Sequence, residues 1–461
     1  MAKKELDMLR DSPVKAIIRF ALPIMASSML QYNYSLVDNI IVGRYVSNEA
    51  LAAVGSVGAI NSFIIGAALG LTSGFSIPVA HAYGAADTRK ASRFAGNSIS
   101  LAFIIGAAIA VLAHIFSGRL LKLIGTPEDI IDLSSAYINI LYYGIPFQML
   151  SNNFTAISRS TGESKKPLYF FSFTVVLNFL LDMLFVKVLG WGVEGAAAAT
   201  LICHMTAATL NGIFVLFFLK KIRFAKTDLI PDRKISLKQI SLGIPVSLQF
   251  TMTSIGSMCL QSVVNSFGTS VIAGFTAAGR VEGLTNIPMS GLGVATQTFV
   301  GQNYGAGNYS RIRQGVKRIF LLDVAVSVVM SITLYLLAEP VVSLFMEEFN
   351  PDIMAAAKRY ILAIAQCYSL VAVLFVMRNT LQGLGFTFAN SVAGTGEFFG
   401  RLLIAFVMTP LIGFDAVCYA GPAAWLLADI PLVIIYLHKQ KKFRRLPEEA
   451  EASYLKLSID K

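Results

Sequence analysis

Charge is scarce in this sequence. Only 14% of the residues are Asp, Glu, Lys or Arg, while 55% are hydrophobic, whereas soluble domains carry roughly 25% charged residues. This deficit excludes a string of soluble domains, although 461 residues would be long enough for two or three of them. The net charge is +11, but the sequence contains no basic soluble domain that could bind a nucleic acid. We therefore expect no nucleic-acid partner.

Cysteine and histidine are also few, and neither forms a recognisable motif. The four cysteines lie far apart inside apolar segments, and their spacing indicates neither a disulfide framework nor a cysteine metal site. The four histidines form no HExxH pattern, and no GxxxxGK[ST] loop is present, so we expect no direct coupling of this chain to ATP. We predict that the chain is not an enzyme and has no cofactor. The cysteines are Cys203, Cys259, Cys367 and Cys418.

Long apolar runs recur from one end of the chain to the other. A helix of about 20 apolar residues spans ~30 Å of hydrocarbon, and twelve segments approach or exceed that length. They predict an all-α polytopic membrane protein with twelve transmembrane helices in two pseudo-symmetric six-helix bundles around a central cavity. The segments are 15–37, 50–78, 94–117, 130–156, 167–189, 193–218, 238–265, 270–299, 314–338, 356–382, 388–412 and 415–438.

The distribution of basic residues predicts the orientation of these helices. Most of the 38 Lys and Arg residues fall in the two tails and in alternate connections, notably 219–238. Because basic residues are enriched in cytoplasmic loops, both termini are expected to be cytoplasmic. That arrangement requires an even number of spans, in agreement with twelve, and predicts a multi-pass protein of the plasma (cytoplasmic) membrane.

The two halves of the sequence resemble each other at an offset of 221 residues. The stretch AYGAADTRKA (82–91) aligns with NYGAGNYSRI (303–312), with the shared YGA at equivalent points of two six-span blocks. Parallel repeats of this kind, related by an axis along the membrane normal, are typical of secondary transporters. The predicted organisation is an N-terminal lobe (1–218), a cytoplasmic linker (219–237), a C-terminal lobe (238–445) and a cytoplasmic tail (446–461). One chain contains both lobes, which favours a functional monomer.

Polar residues inside the first predicted helix are the first candidates for function. Asp38 shares a helix face with Gln31 and Tyr34, and an ionisable residue within a span is a functional hypothesis by default because it is costly in lipid. The alternative is that Asp38 lies at the extracellular interface, solvated, with Arg44 six residues further on.

The fifth and sixth predicted helices repeat this feature. Asn178 and Asp182 are four residues apart on one face of an apolar helix, and Thr200 follows a run of small residues. Two carboxylates, an amide and a hydroxyl within one lobe can form either an oxygen cage for a cation such as Na⁺ or a proton site. For Asp182 too, a solvated position near Lys187 is the alternative.

Two further pairs of polar residues are open to more than one interpretation. Asn152 and Asn153 either line a substrate cavity, bonding substrate or Asp38, or join neighbouring helices. Glu397 and Arg401 are four residues apart on one helix, a spacing that favours a structural ion pair, although a position lining the second-lobe cavity is also open.

Taken together, these features make the sequence resemble the multidrug and toxic compound extrusion (MATE) family over almost its whole length. The resemblance implies antiport of lipophilic, often cationic compounds outward against H⁺ or Na⁺. It assigns Asp38, Asn178, Asp182 and Thr200 to the cation site, with Gln31 and Tyr34 lining the adjoining cavity. The motifs that carry it are ALPIM (21–25), VDNIIVGR (37–44), the two YGA turns, LNFLLD (177–182) and TLQGLG (380–385).

Some members of this family carry coupling acids on the seventh and tenth spans, where this sequence has none. We therefore place coupling in the first lobe and expect drugs or toxic metabolites as substrates, with lipids as the only other partners. A flippase for a lipid-linked saccharide is the alternative, although the deep cations that would meet a pyrophosphate are few: Arg280, Arg378 and Arg401. A membrane-embedded enzyme would need a cluster of acid, base or metal-binding groups, and the sequence shows none.

Overall fold

The computed structural model describes residues 7–123, 125–343 and 349–443, without the side chains of residues 35–40, 48, 59, 123, 442 and 443. Within these ranges every regular element is helical. The first six long helices are α1 (Pro13–Tyr45), α2 (Asn48–Gly84), α3 (Thr88–Leu123), α4 (Ile131–Ser160), α5 (Lys165–Asp182) and α6 (Gly192–Ile213). They are followed by α7 (Arg233–Val264), α8 (Thr269–Gly305), α9 (Tyr309–Ser343), α10 (Pro351–Gln366), α11 (Tyr368–Gly383), α12 (Phe388–Leu402), α13 (Thr409–Ile412), α14 (Phe414–Cys418) and α15 (Ala420–Phe443).

The twelve predicted segments all coincide with helical parts of the described chain. Among the residues that the structure describes, eight helices are long and apolar enough to cross a membrane, and the number is nine if α10 and α11, which meet at a bend of 55°, count as one span. The helices on which three further predicted segments fall, α4, α7 and α8, are not among these, and all three contain an internal proline. The predicted class, an all-α polytopic membrane protein, is confirmed.

The repeated YGA sequence forms the same turn in both halves. After α2, the backbone N–H groups of Ala86 and Asp87 donate to Tyr83 O and Ala82 O. After α8, Gly307 and Asn308 donate to Tyr304 O and Asn303 O in the same way. The offset of 221 residues found in the sequence therefore relates these hydrogen bonds one to one, and each set closes a helix C-terminus as expected of a left-handed cap.

The left-handed residue of this turn is an alanine in one half and a glycine in the other, so exchanging the two residue types should change stability in opposite directions. Ala86 has φ 58° and Gly307 has φ 75°, a left-handed conformation that costs an L-residue about 1–2 kcal/mol. A Cβ on Gly307 would meet no atom within 4 Å, so backbone strain is the only penalty there. Thermal unfolding in detergent should show Gly307→Ala lowering the midpoint and Ala86→Gly raising it slightly. Shifts of the same sign in both variants would contradict this explanation.

The described chain divides into two compact units that each contain their own core. One unit comprises Ala26–Ser247, and the other comprises the described residues up to Met25 together with those from Leu248 onward. The units thus differ from the predicted lobes at α1 and α7, because each of these helices contributes its first part to one unit and the remainder to the other. The lobes as defined by chain order remain a prediction.

The segment predicted as a linker is packed against α3 within the Ala26–Ser247 unit. A short 3-10 helix, Lys226–Leu229, lies so close to Gly96 that a Cβ there would be 2.4 Å from Asp228 O. The Asp228 side chain, 1% exposed, accepts a hydrogen bond of 2.7 Å from Arg89 Nη1. Burial of this carboxylate is therefore compensated by a charged partner, which satisfies the requirement for burying an ion.

Asn97 of α3 joins the end of this segment to the start of α7. Its Nδ2 donates to Gln239 Oε1 at 2.7 Å, and its Oδ1 accepts from the Asp232 N–H at 2.7 Å. Asp232 caps α7 by accepting from the N–H groups of Lys234 and Ile235, as N-cap residues do. The hydrogen bond from Ile235 is the main cause that holds the pKa of the Asp232 carboxyl below its usual value.

Candidate coupling and substrate site

Helix α5 has a polar buried face and an apolar exposed one. Its buried residues are Pro167, Thr174, Asn178 and Asp182, and the last three are spaced four residues apart along one stripe of the helix. Apolar side chains occupy the outer surface, with Val176 at 59% and Leu180 at 58% exposure. This is the reverse of a soluble amphipathic helix, and it fits a helix with lipid outside and polar groups inside.

Burial decides between the two interpretations of Asp182. The residue is 0% exposed and Asn178 is 2% exposed, so a solvated Asp182 at the interface is excluded. Asn178 Nδ2 has no hydrogen-bond partner among the described residues. Leaving a buried polar group without a partner costs about 1–3 kcal/mol, which marks this stripe as a place where an acceptor atom of a bound water or substrate would satisfy the Asn178 amide.

Helices α1 and α6 bring further polar groups to this region. Tyr34 OH lies 3.3 Å from Thr200 Oγ1, which joins α1 to α6. On the α5 side, Cys203 Sγ is 3.5 Å from Thr174 O, one turn from Asn178. The alanine-rich run before Thr200 allows this close approach because small residues let helix backbones come together. The predicted residues of α5, α6 and α1 are thus contributed by adjoining helices.

The backbone changes directly after the buried carboxylate. Helix α5 ends at Asp182 and continues as one π-helical turn, Met183–Val188. Such turns often occur at functional sites, because the wider hydrogen-bonding ring shifts the side chains that follow. Asp182 therefore lies at the junction of two helical geometries rather than in the middle of a regular helix.

The position of the Asp38 side chain lies outside the described residues. Its backbone is part of α1, one turn beyond Tyr34, so the two residues share a helix face. Gln31, one turn before Tyr34, is exposed, and the structure gives it no partner within the described part of the chain. That Asp38 meets Asp182 remains a prediction, and so does the possible Na⁺ site at Asp38, Asn178, Asp182 and Thr200. In the described residues no group of three or more His, Cys, Asp or Glu side chains is placed to hold a metal ion.

The two asparagines of α4 have different surroundings. Asn153 is fully buried, and its Nδ2 donates to Ser98 Oγ of α3 at 3.0 Å. This is the helix-to-helix contact that was the alternative to a role in the substrate cavity. Asn152 is half-buried. The assignment of Asn152 to a substrate cavity stays a prediction.

The predicted pair of Glu397 and Arg401 is part of a larger buried cluster. Glu397 Oε2 is 3.4 Å from Arg401 Nη1, and Oε1 is 3.0 Å from Arg378 Nη1. Thr253 Oγ1 donates to the same carboxylate at 3.2 Å. All three charged side chains are at most 12% exposed. Sequence spacing indicates Arg401 but not Arg378, because the contact of α11 with α12 is not local in sequence.

Two further buried acids and one half-buried acid belong to the same unit. Asp323 on α9 and Asp429 on α15 are 0% and 4% exposed, and their carboxylate oxygens have no hydrogen-bond partner among the described residues. Glu282 on α8 accepts a hydrogen bond of 2.7 Å from Tyr360 OH. The signal that identified Asp38, an ionisable residue within an apolar run, also applies to Asp323 and Asp429.

Comparison with known proteins identifies the family. The MatE family profile matches residues 23–184 and 245–394. The probable multidrug resistance protein YoeA of Bacillus subtilis (strain 168) is 29% identical over 444 residues, covering 93% of this chain and 94% of that protein. An FAD transporter of Shewanella oneidensis is 24% identical over 384 residues, covering 82% of this chain and 84% of that protein.

The fold has close counterparts among solved structures. The outward-facing conformation of a multidrug resistance MATE family transporter superposes with a TM-score of 0.88 at 25% sequence identity, covering 96% of this chain and 100% of that one. The family profile accounts for more than half of the residues and reaches into both units. The chain therefore belongs to the MatE family, the multidrug and toxic compound extrusion family of membrane transporters.

Proposed function

We propose that the protein is a secondary active multidrug exporter of the plasma membrane, with both termini in the cytoplasm. It exchanges lipophilic or cationic compounds, which leave the cell, for H⁺ or Na⁺, which enters. The observation that carries this proposal is the buried polar stripe of α5, which ends in the fully buried Asp182 and faces the helix that holds Thr200. The name of the similar B. subtilis protein, a probable multidrug resistance protein, supports the substrate class.

The chemistry of the stripe suggests how an ion drives the cycle. A carboxylate buried away from water is stable only when a positive charge compensates it. Entry of one cation or proton lowers the joint negative charge of Asp182 and Asp38 by one unit, and inward movement of that charge down a membrane potential supplies about 2.3 kcal/mol per 100 mV. In the ion-bound state α1 repacks against α5 and α6 and displaces the substrate. Release of the ion towards the cytoplasm restores the charged site.

The Tyr34–Thr200 contact gives this mechanism a local test. It links α1 to α6 at 3.3 Å, one turn before Asp38, so its loss should disturb α1 without removing a carboxylate. We expect Tyr34→Phe to reduce efflux several-fold while leaving the choice of coupling ion unchanged. Cell efflux assays measure the first quantity, and vesicle assays measure the second. A Tyr34→Phe protein that transports at the wild-type rate would remove this contact from the mechanism.

The experiment that tests the proposed function uses everted membrane vesicles. Ethidium or norfloxacin accumulation is followed first under an imposed Na⁺ gradient and then under an imposed pH gradient, each with and without an ionophore that collapses it. We expect accumulation under one of the two gradients and none without a gradient. Accumulation that depends on ATP alone, or on neither gradient, would contradict the proposal.

The alternative of a flippase for a lipid-linked saccharide receives less support from the structure. A pyrophosphate needs unpaired cations, yet Arg378 and Arg401 are both paired with Glu397 inside the protein.

Flavin adenine dinucleotide is a second candidate substrate, because the similar S. oneidensis protein is named as an FAD transporter. The vesicle assay should therefore include this dinucleotide, and its accumulation in preference to ethidium would replace the proposed substrate class.

A further inference from the structure

A groove with a cationic rim and an apolar floor lies on the unit that begins at Leu248 after its N-terminal part. It shares no residue with the α5 stripe or with the Glu397 cluster. It encloses about 370 Å³ between the start of α9 and the end of α15, with α11 beneath them. The residues that matter for its chemistry are Arg313, Lys317 and Phe320 of α9, Met377 of α11, and Tyr436 and Gln440 of α15.

The two cations of the rim are free to meet an external anion. Arg313 and Lys317 are one helical turn apart and share a face, and both line the groove. Neither forms an ion pair with an acid in the part of the chain that the structure describes. Gln440 reaches the groove from α15 and adds an uncharged hydrogen-bonding group to the rim.

The floor of the groove has the opposite character. Met377 is 7% exposed and Tyr436 is 8% exposed, and Phe320 lies one turn beyond Lys317 on α9. An inorganic anion gains nothing from such a surface, whereas an amphiphile with a negative head and an apolar chain matches the rim and the floor together. Basic pockets between transmembrane helices on the cytoplasmic side are known to bind anionic lipid head groups.

We propose that this groove binds an anionic phospholipid of the cytoplasmic leaflet, with its phosphate between Arg313 and Lys317 and an acyl chain along Phe320 and Met377. The choice of leaflet rests on the proposed orientation, in which the short connection between α8 and α9 and the end of α15 face the cytoplasm. The site is independent of the proposed transport chemistry, since it shares no residue with the stripe of α5.

The test is native mass spectrometry of the full chain titrated with phosphatidylglycerol or phosphatidylcholine. One basic residue near an anionic membrane surface changes affinity about fivefold, so Arg313→Gln/Lys317→Gln should weaken phosphatidylglycerol binding roughly 25-fold and leave phosphatidylcholine binding unchanged. The matched control is Arg318→Gln/Lys441→Gln, which removes the same charge from exposed residues outside the groove and should retain wild-type lipid binding.

Other results would overturn the proposal. Equal affinity of the wild-type chain for the two lipids would show that the negative head group is not recognised. Equal losses in both double variants would leave only a general surface charge effect. Displacement of phosphatidylglycerol by millimolar inorganic phosphate would show a phosphate site instead of a lipid site. Binding that appears only after removal of residues 444–461, which include Glu448, Glu449 and Glu451, would assign the groove to the C-terminal tail of the chain.

Failure here is distinguishable from failure of the proposed function. Lipid binding is measured on the purified chain without any ion gradient, and drug accumulation is measured in vesicles without reference to a bound lipid. A melting curve of each double variant in phosphatidylcholine nanodiscs, expected to match the wild type, ensures that a loss of lipid binding is not a loss of folding.

Discussion

Asp182→Asn should abolish ion-driven drug efflux while leaving the protein folded and in the membrane. The substitution keeps the size of the side chain but removes the negative charge at a position that is 0% exposed. A neutral amide needs no compensating cation, so the ion loses its binding energy at this site and the gradient no longer drives the cycle. Ethidium efflux from a drug-hypersensitive strain should fall to the level of cells that lack the transporter.

The matched control for this variant is Asp323→Asn in the other unit. Asp323 is also 0% exposed on an apolar helix, so the two substitutions remove the same group from equally buried positions. We expect Asp323→Asn to retain the wild-type choice of coupling ion and most of the efflux. Efflux at the wild-type level in Asp182→Asn, or loss of coupling in Asp323→Asn alone, would move the coupling site out of the Ala26–Ser247 unit.

Glu397→Gln should produce the largest loss of stability among single substitutions of charged residues. Glu397 forms ion pairs with both Arg378 and Arg401, and all three side chains are almost completely buried. Removing one partner of a buried ion pair costs about 3–5 kcal/mol, because the remaining charge is left without compensation. Thermal unfolding in nanodiscs should therefore show a midpoint many degrees below that of the wild type.

The control for this second variant is Glu339→Gln. Glu339 pairs with Lys358, but these side chains are 61% and 46% exposed, and exposed ion pairs contribute about 0–1 kcal/mol. Its midpoint should stay close to that of the wild type. If the two variants unfold at the same temperature, the buried ion pairs of Glu397 contribute no more to stability than the exposed pair of Glu339 and Lys358.

Features set by local sequence were predictable, and the repeated turn is the clearest case. The YGA motif and the offset of 221 residues predict equivalent positions, and the hydrogen bonds of Ala86 and Gly307 match one to one. The polar stripe of α5 was also predictable, because Asn178 and Asp182 are spaced by one helical turn. In both cases the information lies within a few residues along the chain.

Features that depend on contacts between distant helices were not predictable from spacing. Arg378 reaches Glu397 only because α11 packs beside α12. The linker was predicted from its polarity and proline, yet Arg89 and Asn97 attach it to α3 through hydrogen bonds to Asp228 and to the Asp232 N–H that have no local signature. The tenth predicted span is bent by 55° between α10 and α11, although no proline lies between Gln366 and Tyr368 to indicate it.

The central claim is that Asp38 and Asp182 together bind one cation within the Ala26–Ser247 unit. Equilibrium binding of ²²Na⁺, measured with simultaneous detection of proton release, tests it directly on the purified wild type, Asp38→Asn, Asp182→Asn and the double variant. A shared site predicts one ion per chain in the wild type, whether Na⁺ or H⁺, and none in either single variant. If each single variant instead loses half of the bound ions, and only the double variant loses all of them, the protein has two separate sites. That result would contradict the claim.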